Sequence, residues 1–233
     1  MTHIFLDFEM TPIPKKNKEA RAIAAREIIQ IGAVKLSDDY EVTGRYCHFV
    51  KPELSSVNPK ITQLTGITDA DVADASTLET VLADFADWIG LAPVRIYSWS
   101  GSDKKQIRQE CALKKLILPR VFRRWMDFQR IYTRLLGLSR RSKLSLTNAI
   151  GSVESAFEGQ QHSALSDAEN AASLLMLVKD RDAFERRSKI VRELMGKQST
   201  HATTLGDLFG DVFSQYIETP ADEAEKSLSY AEK

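Results

Sequence analysis

Apolar residues recur along this chain with two different periods, and the switches between them divide it into elements. His3-Ile4-Phe5-Leu6-Asp7-Phe8 is short, β-prone and ends on acids, which predicts a first strand over residues 3–8. Lys15 to Arg26 is rich in Ala, Lys and Arg and free of Gly and Pro, which predicts a helix inserted before the next strand. Glu27 to Leu36 is an apolar run with Ile28, Ile29, Ile31 and Val34, and predicts the second strand. Asp38-Asp39 supply a turn, so Val42 to Val50 is expected to return as a third strand in a hairpin. Pro52 and Pro59 bracket a loop. Thr77-Leu78-Glu79 starts a helix whose buried face is Val81, Leu82, Phe85, Trp88 and Ile89, and Gly90 stops it. Val94 to Trp99 predicts another strand, followed by a Ser-Gly-Ser turn and a helix from about Asp103. A short strand near Trp125–Phe128 and helices over Ala164–Val178 and Asp182–Met195 complete the pattern. Composition turns polar after Gly196, which predicts a domain over 1–195 and a tail over 196–233 with a helical piece at Leu205–Tyr216. Strands first, then a strand–helix unit, then helices, make this an α/β chain with a mixed sheet.

Composition narrows the class without naming a function. The apolar share of 43% and charged share of 27% are those of a soluble globular protein. No apolar run approaches the roughly 20 residues that span a bilayer, so no membrane is expected. The opening residues form neither a charged n-region nor a cleavage site. Cys47 and Cys111 lie far apart in no metal spacing and read as reduced thiols, so the expected location is cytoplasmic. The net charge of zero hides an uneven distribution. Lys104 to Lys143 holds thirteen Lys and Arg against Glu110 and Asp127, whereas Asp207 to the end holds seven acids against Lys226 and Lys233. A basic block offset by an acidic tail predicts phosphate contacts, with the tail open to a protein partner.

Three short segments carry candidate chemistry. In Asp7-Phe8-Glu9 a strand would point both carboxylates to the same side, where they repel unless a cation lies between them. Hard oxygen ligands favour Mg²⁺ or Mn²⁺. Asp103 follows a predicted strand and opens a helix, where an acid also serves as a cap. Asp167 lies about one turn into a predicted helix, with His162 in the loop before it. Singly, each has an ordinary alternative: a solvated strand end, a helix cap, a loop histidine. Their order is what distinguishes them.

In that order the segments resemble the DEDDh exonucleases over roughly residues 1–180. The first motif is Phe5 to Thr11, the second Trp99 to Ile107, the third His162 to Leu175, with support from Ile28 to Val34 and Leu64-Thr65-Gly66-Ile67-Thr68. Trp99 and the Leu-Thr-Gly-Ile-Thr stretch resemble the branch around histone-mRNA 3′ exonuclease. The resemblance implies a ribonuclease H-like mixed β-sheet of about five strands flanked by helices, here with a C-terminal helical extension. It implies two divalent ions, Mg²⁺ or Mn²⁺, held by Asp7, Glu9, Asp103 and Asp167, with His162 as general base. Two such ions, roughly 3.5–4 Å apart, stabilise the attacking and leaving oxygens of an in-line displacement. The expected activity is 3′→5′ trimming of single-stranded nucleic acid, RNA rather than DNA, to nucleoside 5′-monophosphates. Alternatives on the same fold are a catalytically silent binding protein and a DNA proofreading or repair exonuclease. Met10, Thr11 and Leu64 are the expected contacts to the terminal nucleotide, with Lys104, Lys105 and Arg108 along the backbone; Phe8, Trp99 and Trp125 read as core. Two departures bear on substrate preference: the long basic insertion at 15–26, and Ser163 after the histidine.

Overall fold

The computed structural model describes residues 1–139 and 143–196, without the side chains of 194–196. Strands β1 (Thr2–Pro12), β2 (Arg26–Leu36), β3 (Val42–Phe49), β4 (Val94–Ser98) and β5 (Trp125–Asp127) form one sheet in the order β3-β2-β1-β4-β5. β1–β2 and β2–β3 are antiparallel pairs, while β4 runs parallel to β1 and β5 parallel to β4. This is the mixed sheet of five strands that the sequence predicts. Between β1 and β2 lies α1 (Lys18–Ile23); between β3 and β4 lie α2 (Pro59–Thr65), α3 (Asp69–Ala73) and α4 (Leu78–Ile89). Helix α5 (Ser102–Lys114) and a 3-10 turn (Arg120–Arg123) link β4 to β5. After β5 come α6 (Phe128–Leu135), α7 (Leu146–Gly151), α8 (Ala164–Lys179), α9 (Arg181–Arg187) and α10 (Lys189–Gly196). Among the described residues no helix is long and apolar enough to cross a membrane.

The two faces of β1 belong to different cores. Ile4, Leu6 and Phe8 pack with Leu82 and Phe85 of α4 and Ile107 of α5. Phe5 faces the other way, toward Tyr97, Phe128 of α6 and Ala171 and Leu175 of α8. It stacks on Tyr97 at 4.9 Å and meets Phe128 edge-on at 5.2 Å. By the two-residue period of a strand, Asp7 and Glu9 continue the face of Phe5, under α8.

β2 does not alternate, and a bulge explains why. Its register passes from Glu9 opposite Gln30 to Met10 opposite Ile28, leaving Ile29 as the extra residue. Ile28 and Ile31 thereby enter the same core, while Ile29 joins Val57, Ile67 and Val72 under α2 and α3. Three isoleucines in four positions are thus all buried without breaking the pleat.

Element bounds differ from expectation where local chemistry intervenes. The inserted helix is shorter than Lys15–Arg26: Asn17 caps it, and Ala24 is already extended because β2 pairs from Arg26. The loop between Pro52 and Pro59 is as expected, and α2 and α3 follow it where the sequence predicts no element. Asn58 caps α2 with Pro59 in its first turn, and Gly66 ends it at φ 78°. The helix expected over Asp182–Met195 is two helices, broken at Ser188, whose hydroxyl donates to the Phe184 carbonyl (2.6 Å). α4 matches its expected start and stop, with Thr77 and Gly90 as caps. The tail over 197–233, with the expected helical piece at 205–216, lies outside the described residues, as do Arg140 and Arg141 of the basic block.

Candidate active site

Asp7 and Glu9 lie in β1, opposite Gly32 and Gln30 of β2. Gly32 lets the start of α8 descend onto the sheet. A Cβ there would lie 2.1 Å from the Ala164 carbonyl carbon and the Leu165 nitrogen. Gln30 fastens that turn: its Oε1 accepts from the Ala164 N–H (3.1 Å), taking up one of the free donors at a helix start. The Asp167 N–H donates to Ser163 O (2.9 Å), so Asp167 lies one turn into α8. Just before it, His162 holds a left-handed backbone at φ 59°, a conformation for which His is more tolerant than most residues. Nearby Gln160 Nε2 donates to Thr65 O (3.2 Å), joining this loop to the end of α2. Ligand atoms of Glu9, His162 and Asp167 lie within 4.8 Å of one another.

Asp103 arrives from the other side, past the end of β4. The N-cap of α5 is Gly101, so Asp103 is inside the first turn and does not serve as the cap. Glu9 and Asp103 are buried, while Asp7, His162 and Asp167 keep partial access to solvent.

The electrostatics of this group are those of buried carboxylates crowded together. Burial raises the carboxyl pKa of Asp7 far above the ordinary range, and Asp103, Asp167 and Glu9 push the same way. Glu9 is raised by burial and by Asp167 and Asp103. Asp103 is pushed up to about 7 by burial, offset in part by hydrogen bonds at the start of α5. Asp167 rises to about 7 by burial, against a hydrogen bond from the His162 backbone. Among the described residues, none of the four is ion-paired to a Lys or Arg. Four convergent carboxylates, mutually repelling and without a cationic side chain, fit a divalent ion with hard oxygen ligands. Burial lowers the pKa of His162, which favours a neutral imidazole able to take up a proton.

The expected substrate contacts divide. Met10 and Leu64 are half-buried, Arg108 and Lys105 exposed, and Lys104 half-buried with its ammonium 3.4 Å from Trp125 O. Thr11 is a correction. It is fully buried, its hydroxyl donating to Ser56 O (3.1 Å) and accepting from Asn58 N–H (2.9 Å), so its side chain fixes the loop before α2. Lys114, counted with the basic block, is also no surface charge, being buried against Glu27, Glu53 and Glu110. Phe8 and Trp125 are core, and half-buried Trp99 packs on Phe128 and Tyr132 with its indole N–H on Leu144 O (2.9 Å). Gly32 and Gln30 went unremarked in the sequence. A glycine inside a β-branched run is the signal that would have exposed the first, since it marks close backbone approach.

Residues 4–175 match the RNase_T family, described as exonucleases. ERI1 exoribonuclease 2 of Danio rerio is 30% identical over 194 residues, covering 73% of this chain and 34% of that protein. The 3′–5′ exonuclease Snipper of Drosophila melanogaster is 26% identical over 207 residues, covering 78% of this chain and 70% of that protein. The chain thus spans about a third of the length of the first of these relatives. Among solved structures, the nuclease domain of 3′hExo, a DEDDh family member bound to rAMP, superposes with a TM-score of 0.67. It is 24% identical and covers 77% of this chain and 92% of that domain. That likeness carries the fold, which is the ribonuclease H-like one of DEDDh nuclease domains.

Proposed function

Since the chain belongs to the RNase_T family of exonucleases, we infer that it removes nucleotides from the 3′ end of single-stranded RNA by metal-dependent hydrolysis. The observation that carries this reading is that Glu9, His162 and Asp167 bring ligand atoms within 4.8 Å of one another, with Asp7 and Asp103 close enough for the four carboxylates to oppose one another's ionisation. Exonucleases of this family depend on metal. Two Mg²⁺ or Mn²⁺ ions, once bound, supply Lewis acidity and neutralise the charge that develops on the phosphate. The four carboxylates, from the three elements β1, α5 and α8, would hold those ions. His162 takes the proton from the attacking water, helped by an imidazole that burial keeps neutral. Met10 and Leu64 offer apolar surface to the terminal base without reading its identity. Lys105 and Arg108, exposed on the helix of Asp103, attract the phosphate backbone, with Lys104 beside them. RNA is favoured over DNA because the family relative in Danio rerio is named an exoribonuclease and the 3′hExo domain holds a ribonucleotide. The free thiols Cys47 and Cys111 fit a cytoplasmic protein.

A time course on 5′-labelled single-stranded RNA and DNA of one sequence, with Mg²⁺, Mn²⁺ or EDTA, tests this. A ladder shortening by one nucleotide, faster on RNA and absent in EDTA, is expected. No ladder from folded protein would turn the reading to a silent binding protein. His162→Asn keeps a residue that tolerates the left-handed backbone while removing the base. It should lower kcat by about 10²–10⁴-fold, with Mn²⁺ affinity changed far less, as single-turnover kinetics and metal titration would show.

A further inference from the structure

Outside the site, the most strongly connected feature is a buried ionic cluster. Gln106, Glu110 and Lys114 follow one another at four-residue spacing on α5 and meet the start of β2. Gln106 Nε2 donates to Arg26 O (2.8 Å) and to Glu110 Oε2 (2.9 Å). Glu110 Oε2 also accepts from Ile28 N–H (2.8 Å). Lys114 Nζ lies 3.0 Å from Glu110 Oε1, 3.1 Å from Glu27 Oε1 and 2.8 Å from Glu53 Oε2. The Glu27 carboxylate in turn accepts from the N–H groups of Glu53 (2.8 Å) and Leu54 (3.0 Å). Glu27 and Glu110 are fully buried. Burial works against charge on Lys114, but the surrounding carboxylates outweigh it and raise its pKa.

Each of these bonds holds a different part of the site. Glu27 and Ile28 pair with Thr11 and Met10, just past the bulge beside Glu9. α5 carries Asp103 in its first turn. Glu53 and Leu54 open the loop that reaches Thr11 through Ser56 and Asn58 and then enters α2, the helix of Leu64. One ammonium therefore joins the strand region of Glu9, the helix of Asp103 and the approach to α2.

We propose that Lys114 is a positioning residue for divalent-ion binding, holding Asp103 at a fixed place relative to Asp7 and Glu9. The proposal rests on the reading of those acids as metal ligands. It predicts a change in metal affinity rather than in chemistry once metal is bound, because Lys114 is separated from Asp103 by three turns of helix.

The test uses the full chain, with Mn²⁺ binding followed by electron paramagnetic resonance, melting in EDTA, and kcat at saturating Mn²⁺. Lys114→Met is expected to weaken Mn²⁺ binding about 10-fold or more, in the range found for residues that support metal ligands, with kcat at saturation close to wild type. A folded Lys114→Met protein with wild-type Mn²⁺ affinity overturns the proposal, whatever its melting temperature. Should Lys114→Met not fold, Glu110→Gln decides. That variant preserves side-chain size and leaves Lys114 its other two partners. Mn²⁺ binding weakened by about 10-fold or more supports the clamp; unchanged binding overturns it. The exonuclease reading fails separately, if the wild-type chain itself binds no Mn²⁺.

Discussion

Asp7→Asn is expected to abolish measurable hydrolysis and yet, without divalent ions, to melt at a higher temperature than the wild type. The two effects have one cause. Asp7 lies among Glu9, Asp103 and Asp167, and its ionised form is opposed by burial and by all three. Asparagine removes that charge and offers donors to the remaining carboxylates. A group that stabilises only the metal-loaded state should cost stability in the empty one. For a chain of this size, each kcal/mol of relief raises the melting temperature by about 2–4 °C. The pH dependence carries the same sign. Asp103 and Asp167 have folded pKa values of about 7, above the ordinary carboxylate value. Between those limits the folded protein binds more protons than the unfolded chain. The contribution of these two carboxyls to the stability of the EDTA-treated protein is therefore full below about pH 4, where they are protonated in both states, and is lost as pH rises through 7, while the lowered pKa of His162 acts in the opposite sense. Mg²⁺ should restore it most at high pH. Melting curves of wild type and Asp103→Asn in EDTA from pH 5 to 8 would check this, and a variant whose advantage over wild type does not grow over that range would contradict the site's electrostatics.

Gly32→Ala should lower kcat by about 10²-fold, since displacements of roughly 1 Å at a reacting centre have that effect. The added methyl would meet the backbone of Ala164 and Leu165 at 2.1 Å, and backbone cannot rotate aside. α8 must lift, carrying Asp167 away from β1 and loosening the bond from Ala164 to Gln30. Gly44→Ala is the control: its methyl meets the Trp88 side chain at 3.4 Å, where a ring can shift. Both are strand glycines, so propensity alone predicts the same gain at each. Equal rates in the two variants would show that α8 does not need its close seat.

The sheet was legible because its strands carry their signals locally. Glu27–Leu36 and Val94–Trp99 are apolar runs bounded by turn residues, and α4 is framed by Thr77 and Gly90. The order of Asp7, Glu9, Asp103, His162 and Asp167 marks the candidate site in the sequence, although the first strand, expected to end at residue 8, runs on past both acids to Pro12. What stayed hidden depends on pairs distant in sequence. Nothing around Thr11 says that its hydroxyl will be taken by Ser56 and Asn58, 45 and 47 residues on. Lys114 looks like its basic neighbours until Glu27 and Glu53 are folded against it. α2 and α3 are too short for periodicity to reveal, and depend on caps at Asn58 and Gly66 and on Asp71 accepting from Thr68 N–H (2.8 Å).

The bulge at Ile29 separates two inheritances within one strand pair. On one side of it β1 and β2 present Asp7, Glu9, Gly32 and Gln30, the residues of the candidate site. On the other side Thr11 and Ile29 receive the segment from Glu53 to Ala73, Thr11 through Ser56 and Asn58 and Ile29 through Val57, Ile67 and Val72. Evolution can lengthen, shorten or exchange that segment without shifting the pleat beneath the acids, because the extra residue absorbs the change in phase. The segment and the acids are thus mechanically separable, so a change in residues 53–73 can be made without moving the pleat that carries Asp7 and Glu9.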